Sequence, residues 1–230
     1  MTDLPPIAQR LHQIERQIRE AERQHHRDPG SVQLVAVSKT RPASDLLAAH
    51  AAGQHRFGES YLQEALEKIE QLAEYPLEWH FIGRIQGNKT RPIAEHFAWV
   101  HSLDSLRHAQ RLNDQRPSHL PPLKLCVQVN IDQQSSKGGV ASGEIAALVS
   151  ALHQLPRLRL EGLMTLPAAR EAFSAQRQPF AALRQLRDRL ATPAQPLTTL
   201  SMGMSDDLEA AIAEGATLVR VGSALFGERG

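Results

Sequence analysis

Val35-Ala36-Val37-Ser38-Lys39-Thr40 near the start of the chain decides the fold, together with Leu200-Ser201-Met202-Gly203-Met204-Ser205 and Leu218-Val219-Arg220-Val221-Gly222-Ser223 near its end. Each is a short apolar run that finishes on small or polar residues, the pattern of a strand buried on both faces that opens into a loop. Similar runs recur between them. Strands are expected at Val32–Ser38, His55–Gly58, Trp79–Ile82, Trp99–Ser102, Lys124–Val129, Leu158–Leu163, Thr199–Ser201 and Leu218–Val221. Helical patterns separate them near Ala43–Ala52, Tyr61–Leu72, Asn88–His96, Leu106–Asn113, Ser142–Leu155, Ala168–Ala191 and Asp206–Glu214. This alternation predicts parallel βαβ units. Even recurrence favours a closed (β/α)8 TIM barrel over an open doubly wound sheet, and no G-x-G-x-x-G follows the first strand. Upstream, Leu4, Ile7, Leu11, Ile14 and Ile18 fall at helical spacing. They predict an extra amphipathic helix over Leu4–Gln24, stopped by Asp28-Pro29-Gly30, in a segment 1–28 packed on the barrel.

A length of 230 residues suits one such barrel, so residues 1–230 are expected to form a single domain. With 26 basic and 25 acidic side chains the net charge is +1, which gives no footprint for nucleic acid or an anionic membrane. Arginines alternate with acids and glutamines over Arg16–Glu22 and Arg184–Arg189 and read as solvated helix faces. Cys126 is the lone cysteine, so no intrachain disulfide can form, and its apolar setting predicts a buried, inert thiol. The N-terminus lacks the apolar region of a signal peptide, and no stretch approaches a membrane span. A soluble, cytoplasmic monomer is the expectation.

In a barrel of this kind chemistry gathers at the C-terminal ends of the strands. Lys39 ends the first. Projecting into the barrel mouth, its amine would be a nucleophile toward an aldehyde; taken alone, a lysine reaching for solvent is the better reading. The stretches Ser201–Ser205 and Gly222-Ser223, after the seventh and eighth strands, have the small residues and helix starts that hold phosphate in many barrels. Plain tight turns would look the same, with Ser205 as a helix N-cap. Arg220 puts a cation in an otherwise apolar strand. It serves either an ion pair with Glu161 or Asp207, or a bound ring whose uncharged pyridine nitrogen it faces. The histidines form no convincing metal site.

These residues resemble the pyridoxal 5′-phosphate (PLP) homeostasis family, single-domain relatives of the alanine racemase N-terminal barrel. The resemblance runs from Val35 to Gly227 and covers VAVSKT (Val35–Thr40), FGESYLQE (Phe57–Glu64), WHFIGRIQGNK (Trp79–Lys89), HSLDS (His101–Ser105), VQVN (Val127–Asn130), GLMTLP (Gly162–Pro167), LSMGMSDDLEAAI (Leu200–Ile212) and VRVGSALFG (Val219–Gly227). It implies PLP as cofactor, held as a Schiff base on Lys39. It further implies Arg220 at the pyridine nitrogen, and Ser201, Gly222 and Ser223 around the phosphate. Met202, Met204 and His80 are implied as close neighbours. Two departures stand out. Ser60 occupies the place of the family's usual asparagine, and the loop Asp132–Lys137 is less acidic than expected.

The family is regarded as a keeper of vitamin B6 and amino-acid balance, without a settled reaction. Racemases of related fold add a second domain carrying a tyrosine. This chain ends at Gly230, and its tyrosines are Tyr61 and Tyr75. The expectation is therefore a PLP reservoir or carrier handing cofactor to apo-enzymes, without robust catalysis. A PLP-dependent amino-acid racemase and a Schiff-base aldolase on a phosphorylated substrate are the alternatives. Lys137 offers a second amine near the mouth for transient PLP transfer, although a solvated loop lysine is the plainer reading.

Overall fold

Alternating short strands and helices need a common surface, and in the computed structural model of the chain they share a closed barrel. Residues 6–133 and 138–227 are described, so Leu4 and Lys137 lie outside the described residues. The eight strands are β1 (Gln33–Val37), β2 (Arg56–Glu59), β3 (Glu78–Phe81), β4 (Trp99–Leu103), β5 (Leu123–Gln128), β6 (Leu158–Met164), β7 (Thr199–Ser201) and β8 (Leu218–Val221). All neighbours pair in parallel, and β1 closes the ring by pairing with β8, with Val35 opposite Arg220.

The helices are α1 (Ile7–Gln24), α2 (Ala43–Ala51), α3 (Leu62–Gln71), α4 (Thr90–His96), α5 (Leu106–Gln115), α6 (Ile145–Leu152), α7 (Phe173–Leu190), α8 (Leu208–Ala213) and α9 (Ser223–Phe226). Every expected strand is present to within about a residue at each end. The short α9 follows Gly222, where a helix start was expected, and α7 starts at Phe173, later than the expected Ala168.

Strand parity sorts the side chains into two cores, because successive residues point to opposite faces. Leu34, Ala36, Phe57, Trp79 and Phe81 point outward and join the main apolar layer under the helices. Val35, Trp99, Cys126, Met164 and Leu218 form a separate cluster within the ring. Cys126 is buried there, and burial pushes its thiol pKa up, as befits an inert residue.

Leu11, Ile14 and Ile18 of α1 are buried, and the helix packs on α2, α8 and α9. Glu22 corrects the expectation of a fully solvated outer face. Its carboxylate is buried and accepts the Gly30 and Val32 amides at 3.0 and 2.8 Å, tying the end of α1 to the start of β1. Burial opposes its charge, but these amides and Arg19 together hold its pKa below the usual value. Among the described residues no helix is long and apolar enough to cross a membrane.

A candidate cofactor site at the barrel mouth

Lys39 shares strand parity with Val35 and Val37, so the β1 pleat carries its side chain toward the barrel axis just beyond the strand's last residue. A cavity of about 170 Å³ opens there, bounded by Lys39 and Arg41 on one side and by Met204, Arg220, Gly222 and Ser223 on the other. A larger groove of about 580 Å³ runs between α1 and α8, but mixed charges such as Arg16, Glu20 and Glu209 line it. Size does not mark the site; convergence of like-charged donors does.

The turn after β1 is held from outside. Thr40 adopts φ 66°, a left-handed conformation that a β-branched residue rarely takes. Glu64 of α3 accepts its amide at 2.5 Å. Lys68, one helical turn on, donates to Glu64, to Glu59 at 2.8 Å and to the Ser38 carbonyl at 2.7 Å. Glu59 is fully buried and also accepts the Ser38 hydroxyl at 2.6 Å, while its Oε2 has no hydrogen-bond partner among the described residues. Burial raises the Glu59 pKa, and Lys68 works against that rise.

Glycine shapes the opposite wall. A Cβ on Gly222 would stand 3.2 Å from the Val37 carbonyl, so the backbone just after β8 approaches β1 closely at the cavity wall. Gly203 has φ 95°, and a Cβ there would meet Ala211 at 2.6 Å. α9 begins immediately after Gly222, whose carbonyl accepts the Leu225 and Phe226 amides at 3.0 and 2.8 Å, so the Ser223 and Ala224 amides precede the helix's own bonds. Ser205 does not take the N-cap role at α8 that the tight-turn alternative gave it. That helix starts at Leu208, and the Asp207 carboxylate instead accepts the Met204 amide at 2.6 Å. Burial raises the pKa of that carboxyl.

Arg220 is buried, and burial lowers its pKa to about 10, still protonated at neutral pH. Its Nη1 donates to Ser201 Oγ at 2.6 Å and its Nη2 to the Thr165 carbonyl at 2.9 Å. The ion-pair alternative does not hold. Glu161 pairs with Arg159, and among the described residues no carboxylate reaches ion-pair distance of Arg220.

Behind Ser201 a polar chain crosses the ring. Ser201 Oγ lies 2.7 Å from His101 Nδ1, His101 Nε2 lies 2.8 Å from His80 Nδ1, and His80 Nε2 lies 3.0 Å from Glu78 Oε1. His80 also stacks on Trp99, with ring centroids 5.6 Å apart. Glu78 sits at the far rim between Arg56 and Lys124. The hydrogen bond with His80 leads the causes that hold the Glu78 carboxyl down to about 2, and burial pushes both histidines below their usual pKa.

Of the residues singled out in sequence, Lys39, Met204, Arg220, Gly222 and Ser223 meet at the cavity. Ser201, Met202 and His80 do not line it. Ser201 faces Arg220 and His101, Met202 is buried in the apolar layer, and His80 lies deep in the ring. Arg41, Glu59, Glu64, Lys68, Glu78 and His101 were not anticipated as parts of the site. For two of them a signal existed: Glu78-x-His80 and Trp99-x-His101 place polar or aromatic residues at the strand period, on the inward face. Among the described residues no cluster of three metal-ligating side chains occurs.

The chain matches the family model described as alanine racemase, N-terminal domain, over residues 9–230. It is 57% identical over 223 residues to a pyridoxal phosphate homeostasis protein of Pseudomonas aeruginosa, covering 97% of this chain and 96% of that protein. The protein of the same name from Escherichia coli K12 is 48% identical over 229 residues, with 97% of each covered. Among solved structures, PipY of Synechococcus elongatus with PLP bound superposes with a TM-score of 0.83 at 38% identity, covering 96% of this chain and all of that one. Alanine racemase of Corynebacterium glutamicum shares the fold, with a TM-score of 0.69 at 18% identity over 62% of its chain. A curated relative 57% identical across nearly the whole length, together with a family model spanning residues 9–230, shows that the chain belongs to the alanine racemase N-terminal domain family and, within it, to the pyridoxal phosphate homeostasis proteins.

Proposed function

We propose that the chain binds PLP at the barrel mouth, with Lys39 as the tethering amine, and keeps the cofactor for transfer to apo-enzymes. The observation that carries this reading is the sign of the mouth. Lys39, Arg41 and Arg220 are the ionisable side chains lining the cavity among the described residues, and all are cationic. PLP brings a phosphate dianion that such a wall attracts, and an aldehyde with which a primary amine condenses.

Roles follow from position. Lys39 stands where the amine must be, on a turn braced by Glu64 and Lys68. Gly222 lets a ligand approach the backbone, and the first amides of α9 with the Ser223 hydroxyl suit phosphate oxygens. Ser201 is not assigned to the phosphate, because its hydroxyl is engaged by Arg220 and His101. Arg220 lines the cavity and keeps donors beyond the two it has used. As a permanent cation it would leave a ring nitrogen unprotonated, which weakens the ring as an electron sink.

The same cationic wall favours a carrier over a racemase or an aldolase. Racemisation needs a second proton carrier besides Lys39, and an aldolase needs an acid/base group beside its lysine; the described lining residues offer no carboxylate, histidine or tyrosine for either.

The test is a visible absorption spectrum of purified protein incubated with PLP, before and after borohydride, for wild type and Lys39→Ala. A band present in wild type, removed by reduction and missing in the variant is expected. Protein that stays colourless with added PLP would overturn the reading. Incubating loaded protein with L-alanine, and separately with an apo-enzyme, then distinguishes racemisation from transfer.

A further inference from the structure

Glu78 is the first residue of β3, and Lys39 follows the last residue of β1; in a parallel barrel these are opposite rims. Four hydrogen bonds join the rims through buried side chains: Arg220 to Ser201, Ser201 to His101, His101 to His80, and His80 to Glu78. Each middle member can give or take a proton, so the chain could run in either direction. Its two ends choose one.

At the far rim Glu78 is flanked by Arg56 and Lys124, remains a carboxylate and can only accept. His80 Nε2 must therefore carry a hydrogen. Burial keeps His80 neutral, so its Nδ1 is a lone pair, and His101 Nε2 must donate to it. His101 is neutral for the same reason, leaving Nδ1 as an acceptor that takes the Ser201 hydroxyl hydrogen. Ser201 Oγ then turns a lone pair toward Arg220 Nη1. Run the other way, His101 Nδ1 would donate to Ser201, and the serine's own hydrogen would have to point at the Arg220 N–H groups or away into the ring. Ser201 Oγ can accept from Arg220 Nη1 in either direction, so what the Glu78-imposed direction adds is an acceptor for the serine's own hydrogen, which fixes the lone pair turned toward Arg220.

We propose that Glu78 is a positioning residue for Arg220, acting across the depth of the barrel by fixing the direction of every proton between them. That Arg220 then faces a cofactor rests on the PLP reading above; the direction of the chain does not.

Side-chain ¹⁵N NMR of the ligand-free protein reads both histidine tautomers, and dilution of PLP-loaded protein reads cofactor release. In wild type, His80 and His101 are both expected with hydrogen on Nε2. In Glu78→Gln the amide can donate as well as accept, so a mixture containing the Nδ1–H forms is expected, with PLP release about fivefold faster, the loss of roughly one hydrogen bond. Glu78→Asp restores the carboxylate and should restore the wild-type tautomers. Should Glu78→Gln not fold, Ser201→Ala cuts the chain beside Arg220; it should leave the His80 tautomer unchanged and speed release to a similar degree. An Nδ1–H tautomer at either histidine in wild type would overturn the proposal. So would unchanged tautomers in Glu78→Gln, or altered tautomers with unchanged release. Wild-type protein that takes up no PLP would sink the cofactor reading instead, and the tautomers of the ligand-free protein would still decide the chain's direction.

Discussion

Lys68→Ala should destabilise the protein more than any other single change on α3, by an amount that can be worked out from its partners. Lys68 neutralises Glu59, a fully buried carboxylate 2.8 Å away whose remaining partner is the Ser38 hydroxyl. Removing one member of a buried pair typically costs about 3–5 kcal/mol, because the other is left charged in a poor solvent. Glu59 has an escape, which is to take a proton. Its ordinary pKa is 4.5, so holding it neutral at pH 7 spans about 2.5 pH units at 1.36 kcal/mol each, roughly 3.4 kcal/mol. Below pH 4.5 the unfolded chain is protonated too, and that penalty vanishes. A carboxyl whose folded pKa is raised contributes its full stability below the unfolded value and loses it as pH rises. The variant should therefore lie about 3–4 kcal/mol below wild type at pH 7 and about 1 kcal/mol below it at pH 5. Adding Glu59→Gln removes the stranded charge and should recover most of the loss at pH 7. Urea unfolding at the two pH values, followed by the fluorescence of Trp79 and Trp99, measures all of this. A loss under about 1 kcal/mol at pH 7, or one that does not shrink toward pH 5, would refute the buried-charge account. On the proposed function the same variant also frees Glu64 and with it the strained Thr40 amide, so PLP uptake should slow.

Gly222→Ala should weaken PLP binding about tenfold while leaving the protein folded, because its Cβ would sit 3.2 Å from the Val37 carbonyl and narrow the cavity; titration followed by absorbance checks it. Gly203→Ala should instead cost about 2–3 kcal/mol of stability, since it combines φ 95° with a 2.6 Å approach to Ala211, and urea unfolding would register it. Cys126 should resist an aromatic disulfide reagent in native buffer and react once urea unfolds the chain; rapid native labelling would contradict its burial. His80 and His101 have folded pKa values pushed below the ordinary 6.5 by burial, so their neutral forms contribute stability that is present above pH 6.5 and lost as pH falls below it. With two such groups the stability should fall by up to about 2.7 kcal/mol per pH unit in that window, and His101→Gln should roughly halve the slope. A flat profile between pH 6.5 and 5 would show the histidines are not buried neutral.

The barrel was legible because its strands are short apolar runs at even spacing, and burial on both faces leaves that pattern little room for another reading. The mouth was legible where chain ends declare themselves: Lys39 after β1, and Gly222-Ser223 after β8. What supports the mouth was not. Lys68 and Glu59 sit on an ordinary amphipathic helix and at a strand end, and sequence cannot tell a buried ion pair from two solvated charges when the packing that desolvates them is tertiary. Ser201 and His80 were attached to the cofactor by resemblance. Period-2 parity puts both inside the ring, but depth along the barrel axis, which separates them from the cavity, depends on strand stagger that a single sequence does not reveal. Glu22 misled for a related reason, because the charged residues around it in α1, Arg19, Glu20 and Arg23, are solvated while the Gly30 amide bonds to it.

A barrel usually fills its interior with layers of apolar side chains. Here one layer is replaced by His80, His101, Ser201 and Arg220, which burying polar groups makes expensive unless every proton has an acceptor. The chain satisfies that condition only in one direction, and only with a carboxylate at its far end, so Glu78 is needed even though it lies at the rim away from the cavity. The gain is a cation held rigidly from below. Arg220 then lines the cavity with donors left for a ligand. On the proposed function, a site that binds through its floor and one wall suits a protein that releases its cofactor to another.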